Sequence, residues 1–161
     1  ESGTDDRLQS MHPGVVSCGN EVGQNRFGFD MYSALSAPDG FADEEPYLVQ
    51  GQFCNFNDGK GPEDLTRVIR DHFVPAIEKG RADGSYPSYW FMVGAPDFER
   101  EDRADFIWMD YFSNADAMEK ETGIYFCSET GNSIQAMFDE VSDCTDQSQS
   151  DGYVLRRPES S

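Results

Sequence analysis

Asp110 interrupts an otherwise apolar run from Phe106 to Phe112. A carboxylate in that setting either meets a partner, with its proton affinity shifted, or sits where the strand frays into solvent. His72 is the second residue able to do chemistry. It falls on the apolar face of a helix predicted from Pro62, among Leu65, Val68, Ile69, Phe73, Ala76 and Ile77. An imidazole there can act as a general base or as an axial ligand to haem iron. Spacing supplies it with no partner, so it also reads as a histidine filling a helix–sheet gap. Trp108, with Trp90, Tyr89, Tyr111 and Phe112, could wall an aromatic pocket for a planar ligand or simply fill a core.

The cysteines at 18, 54, 127 and 144 lie far apart with no CxxC pair, and neither His12 nor His72 stands beside another ligand. This spacing argues against zinc and for two disulfides made in an oxidising compartment. Paired cysteines are not nucleophiles. The acidic groups Asp43/Glu44/Glu45, Asp97/Glu99/Glu101/Asp102 and Asp139/Glu140/Asp143 could offer oxygen ligands to Ca²⁺, but none follows the EF-hand loop, and solvated surface explains them as well. No phosphate-binding glycine loop, GxSxG elbow or HExxH pair occurs.

The formal net charge is −19 over 161 residues, with lysine only at 60, 79 and 120. Such a field repels nucleic-acid phosphates and anionic lipid surfaces and could gather cations. Hydrophobic residues make up 37% and aromatic ones 13%, enough for a packed core, yet no apolar run approaches a membrane-spanning length. With the cysteines and a chain that begins at Glu1 rather than Met, these features predict a secreted or periplasmic protein without membrane insertion or nucleic-acid partner.

The elements that must position these groups begin after residue 46. Residues 1–46, rich in glycine and proline, read as an irregular arm with a short strand or helical turn near Phe27 to Leu35, packed on the body or on a neighbouring subunit. Within 47–161, a strand over 47–56 precedes the helix from Pro62, which Pro75 should kink and Gly80 should end. Strands over 86–95 and 104–112 follow, then a short helix at 115–120 and an ambiguous stretch from Gly123 to Gly131. A helix from about Ser133 to Val141 presents Ile134, Met137, Phe138 and Val141, and a last strand is predicted over 152–157. The order β-α-β-β-α-β is the ferredoxin-like plan of an α+β protein, with two helices on one face of an antiparallel sheet. Strands apolar on both faces need a second cover, supplied by another copy of the sheet or by the arm.

This arrangement resembles the dimeric α+β barrel superfamily, which contains cofactor-independent monooxygenases, haem-binding and haem-degrading members and stress-responsive barrels. Gln52 to Lys60, Asp105 to Trp108 and Val141 to Cys144 also resemble uncharacterised secreted proteins of marine bacteria, over about residues 47–157. In those proteins a histidine often follows the last cysteine, where this chain has Thr145, Asp146 and Gln147. The resemblance implies a homo-oligomer with a pocket between helix and sheet, and bears on fold rather than activity.

Two functions fit. One is an exported, acidic, disulfide-stabilised and non-catalytic binding or assembly protein. The other is a small dimeric barrel enzyme or haem binder using a pocket around His72, Trp108 and Asp110. No cofactor is required by the first; haem and Ca²⁺ are the groups the residues could take. The plan also constrains the cysteines. Its first and last strands are antiparallel neighbours, which brings Cys54 beside Cys144 and leaves Cys18 to pair with Cys127.

Overall fold

The computed structural model describes residues 28–39, 41, 46–97 and 104–153. Its core is the strand β2, Tyr47–Phe56. Alternation along β2 sends Leu48, Gln50, Gln52 and Cys54 to one face of the sheet and Tyr47, Val49, Gly51 and Phe53 to the other. Next to β2 lies β4, Phe106–Phe112, in antiparallel register with Gln50 opposite Asp110 and Gln52 opposite Trp108. Beyond it, β3, Trp90–Pro96, sets Phe91 against Asp110 and Val93 against Trp108. The short strand β1, Phe29–Tyr32, extends the sheet past β3. On the other side of β2 are β5, Ser142–Cys144, and β6, Ser148–Gly152. Counting only the four positions of the predicted plan, the order β3-β4-β2-β5/β6 is the ferredoxin-like arrangement, here with β1 as an added edge.

The last strand therefore comes earlier than the sequence pattern predicts. It runs through Ser142–Cys144 and Ser148–Gly152, whereas residues 154–161 lie outside the described residues. Between the two pieces Thr145 keeps the ladder going, its N–H donating to the Phe53 carbonyl at 2.8 Å and its Oγ1 accepting from the Phe53 N–H at 3.1 Å. An edge strand with mostly exposed side chains needs no apolar residues, so its polar sequence gave no strand signal. β1 confirms a strand within the stretch Phe27 to Leu35. Gly94 seats it: a side chain there would run into Met31 and Ile107.

Three helical regions cover one face. The first comprises α1, Pro62–Val68, a π-helical turn, Ile69–Phe73, and α2, Val74–Asp83. Pro62 occupies the first turn, and Asp64 accepts from the Gly61 N–H at 3.2 Å. Pro75 has no N–H, and its ring excludes the carbonyl four residues back. The chain answers with the wide turn just before it, where the Val74 N–H bonds the Ile69 carbonyl, five residues away. One extra residue in that turn rotates everything after it. Leu65 and Val68 are buried before the turn, Phe73 at its last position, and Ile77 and Gly80 after it. His72 is turned outward and exposed, which corrects its predicted place on the core face. Nor does Gly80 end the helix. It lies buried beneath the Tyr86 ring, and the cap is Gly84, in the left-handed region at φ 82°.

The predicted short helix at 115–120 is longer: α3 spans Ala115–Phe126, with Asn114 accepting from the Ala117 N–H at 2.9 Å. The ambiguous Gly123 to Gly131 holds its end and the start of α4, Glu129–Val141. There Ser128 accepts from the Gly131 N–H and donates to the Tyr125 carbonyl, both at 2.9 Å. Ile134 and Val141 of α4 are buried, with Met137 and Phe138 packed against the core as expected.

Cys54 and Cys144 are directly opposed in the register of β2 and β5 and form a disulfide, with their Cα atoms 4.0 Å apart. Cys127, at the end of α3, carries a free, exposed thiol; Cys18, its expected partner, lies outside the described residues. The bridged positions are 90 residues apart in sequence. Removing the bridge with Cys54→Ala and Cys144→Ala should lower unfolding stability by up to about 4–5 kcal/mol on the chain-entropy model. Urea denaturation of the oxidised parent and the double variant measures the loss, and equal midpoints would show that the bridge adds nothing.

Candidate functional site

Between the helices and the sheet lies a cavity of about 660 Å³. β2 contributes Gln50, Gln52 and Cys54 to it, and β4 contributes Phe106, Trp108, Asp110 and Phe112. The space exists because β2 places two amides on its helix-facing side where a filled core would hold branched aliphatics. α3 closes one flank with Glu121, Thr122, Tyr125 and Phe126, while Phe138 and Asp139 of α4 reach in from above. Aromatic and polar side chains share the walls. Trp108 stacks on Phe91 with ring centres 5.0 Å apart, and Phe73 meets Trp108 edge-on at 5.6 Å.

Asp110 is the polar centre of this wall. Its Oδ1 accepts from the Tyr89 hydroxyl at 2.6 Å and from Trp108 Nε1 at 2.7 Å. Oδ2 has no hydrogen-bond partner among the described residues. Burial pushes the Asp110 carboxyl up to about 6, against the pull of the two donors, which favour the charged form. The same enclosure, with the Asp110 charge beside it, pushes the Tyr89 phenol well above its ordinary value. Tyr125 is raised as well, first by burial and then by neighbouring charges that include Asp110. Its hydroxyl is buried without a partner among the described residues.

Two of the three predicted site residues thus come together and the third does not. Trp108 and Asp110 share the cavity wall; His72 is exposed and takes no part in the lining. The aromatic set divides between the faces. Tyr89 and Phe112 stand with Trp108, whereas Trp90 and Tyr111 pack together on the outer face at 4.8 Å under Phe41. Phe41 belongs to the stretch expected as an arm and, like β1 from the same stretch, it packs onto the sheet.

Glu121 escaped the sequence reading. It is only 2% exposed, and it accepts from Ser88 Oγ at 2.7 Å and from the Tyr89 N–H at 2.9 Å, pinning α3 to the entry of β3. Its flanking polar residues hide any amphipathic signal; only the unpaired N–H groups before β3 call for such an acceptor. Among the described residues no group of three or more His, Cys, Asp or Glu side chains could hold a metal ion. The acidic stretch 43–45 lies outside them, as do Glu99, Glu101 and Asp102.

No protein-family model matches the chain, and no curated protein is similar to it. Two solved structures are similar. One is a dimeric protein of unknown function with a ferredoxin-like fold from Bacteroides fragilis NCTC 9343, 16% identical over 67% of this chain and 96% of that one, with a TM-score of 0.39. The other is a conserved protein of unknown function, described as a possible oxidoreductase, from Bacteroides thetaiotaomicron VPI-5482, 11% identical over 68% of this chain and 100% of that one, with a TM-score of 0.39.

The raised carboxyl has a consequence for stability. Between the ordinary value of 3.8 and about 6, the folded protein keeps a proton on Asp110 that the unfolded chain has lost. Its contribution is therefore intact below that window and is lost as pH rises through it. Asp110→Asn retains an oxygen acceptor for Tyr89 and Trp108 and removes the charge. The variant should gain about 1–3 kcal/mol on the parent between pH 4 and pH 7.5. Parallel urea titrations at the two pH values check this, and a difference that does not change with pH would place the carboxylate in bulk-like solvent.

Proposed function

We propose that this chain is an exported, non-catalytic binding protein that takes a small molecule into the helix–sheet cavity. The observation that carries this reading is the cavity wall itself: one carboxylate held by two fixed donors, with its second oxygen unpartnered, among stacked rings. Concave sites that set polar groups among aromatic side chains are a usual form of small-molecule site. The Cys54–Cys144 disulfide supports export, since such bonds persist in oxidising compartments. No helix among the described residues is long and apolar enough to cross a membrane.

A second reading, catalysis, has one observation in its favour: a carboxyl near 6 suits a general base at neutral pH. The lining offers it little to work with. Among the described lining residues there is no His, Lys or Arg, and Cys54 and Cys144 are joined to each other. A haem site through His72 loses its ligand, because that imidazole faces solvent.

The same proposal includes a homodimer formed through the outer face of the sheet. That face carries Met92, Ile107, Met109 and Phe53, and Phe53 is 48% exposed. Sedimentation velocity at micromolar concentration should give a dimer, weakened by Phe53→Glu; a monomer would leave the face to residues outside the described ones.

For the cavity, a thermal-shift screen over neutral and charged small molecules should find stabilising compounds whose effect disappears in Gln52→Trp, which fills the space. A ligand at a hundred times its Kd should add about 2.7 kcal/mol. If nothing stabilises the protein, or the filled variant responds equally, the cavity is not a binding site.

A further inference from the structure

Resting on that reading, we propose that the ligand is an organic cation, a protonated amine carried on an aromatic body, with its ammonium group bound at Asp110 Oδ2. Geometry comes first. Tyr89 and Trp108 both donate to Oδ1, which leaves Oδ2 as the acceptor without a donor among the described residues, on a side chain that lines the cavity. A second group in the same cavity lacks a partner: the Tyr125 hydroxyl, buried and close enough to Asp110 to feel its charge. An ammonium has three donors, so beside Asp110 Oδ2 it can meet a further acceptor such as the amide oxygen of Gln50, which stands opposite Asp110 in the strand register.

Charge points the same way. The described lining holds the carboxylates Asp110, Glu121, Asp139 and Asp143 and no Lys, Arg or His. Glu121 is already held by Ser88 and Tyr89, Gln135 donates to Asp139 at 2.8 Å, and Asp143 is exposed at the edge strand, which leaves Asp110 as the carboxylate set among rings. An anion entering this space would meet repulsion and no counter-charge. A neutral molecule could fill it but would leave an ionised carboxylate enclosed and uncompensated at neutral pH. A cation removes that penalty, and the faces of the surrounding rings attract it further. The net charge of −19 steers cations towards the protein from a distance.

Three indoles of nearly equal size separate the charge from the body: tryptamine, a cation; tryptophol, neutral; and indole-3-propionate, an anion. Calorimetric titration at pH 7.5 should show tryptamine binding at least tenfold more tightly than tryptophol, with indole-3-propionate the weakest. In Asp110→Asn, tryptamine should lose tenfold or more in affinity while tryptophol changes less than twofold. In Gln52→Trp, none of the three should bind. Equal affinity for tryptamine and tryptophol, unchanged in Asp110→Asn but abolished in Gln52→Trp, would overturn the cation inference and leave the cavity as a binding site. Binding unaffected by Gln52→Trp, or no binding of any of the three, would overturn both.

Discussion

Cys54 and Cys144 face each other across β2 and β5, and the bond between them holds the polar edge of the sheet in register. Without it, that edge would depend on hydrogen bonds, from the backbone and from Thr145 and Ser148, because Asp143, Ser148, Gln149 and Ser150 bring little apolar area to a core. The end of α4 is fixed by the same junction. Asn57, just past β2, donates its backbone N–H to the Val141 carbonyl at 3.0 Å, and its Nδ2 donates to the Asp139 and Glu140 carbonyls at 2.9 and 3.1 Å. Lys60 adds an ion pair to Glu140 at 2.7 Å, worth little by itself at an exposed position. The covalent bond, the capped carbonyls and the strand ladder together set how far α4 stands from the sheet. That spacing is the height of the cavity.

The other wall depends on the π turn. A regular helix over residues 62–83 would have carried His72 inward and Phe73 to the flank. With the extra residue, Phe73 becomes the hub of the aromatic layer, meeting Tyr89, Phe91, Trp108, Tyr125 and Phe138. Pro75 announces a disturbance in the sequence but not its form, since a kink and an inserted residue satisfy the missing N–H equally well. The apolar face was therefore legible at Phe73 and Ile77 as well as before the turn, and His72 is the residue of that face that the added residue turns outward.

Elsewhere, legibility follows the amount of apolar surface an element must bury. β2, β3, β4 and α4 carry alternation or a stripe, and they lie close to where the pattern puts them. β5 and β6 bury almost nothing and left no pattern, yet the topology that β2 to β4 imply was enough to place Cys144 beside Cys54. Asp110 stood out because it breaks an apolar run. Its partners did not: Tyr89 belongs to the approach to β3, and only the register that sets Phe91 opposite Asp110 brings the Tyr89 hydroxyl within reach. Glu121 was hidden for the opposite reason, as an acid among acids whose role rests on backbone N–H groups that a sequence does not display.

Glu121, buried, and Asp110, half-buried, show what distinguishes a structural acid from an available one. Glu121 spends both oxygens on Ser88 and Tyr89, so its charge is spread over neighbouring donors and the pairing holds α3 in place. Asp110 concentrates its donors on one oxygen. Two short bonds to Oδ1 do not offset the cost of enclosing the charge, which is why burial prevails and the carboxyl is pushed up to about 6. A purely structural role would be met more cheaply by an asparagine or a serine, each able to accept from Tyr89 and Trp108 without a buried charge. The charge itself is thus the feature that packing and hydrogen bonding leave unaccounted for, and it belongs to a side chain that lines the cavity between helices and sheet.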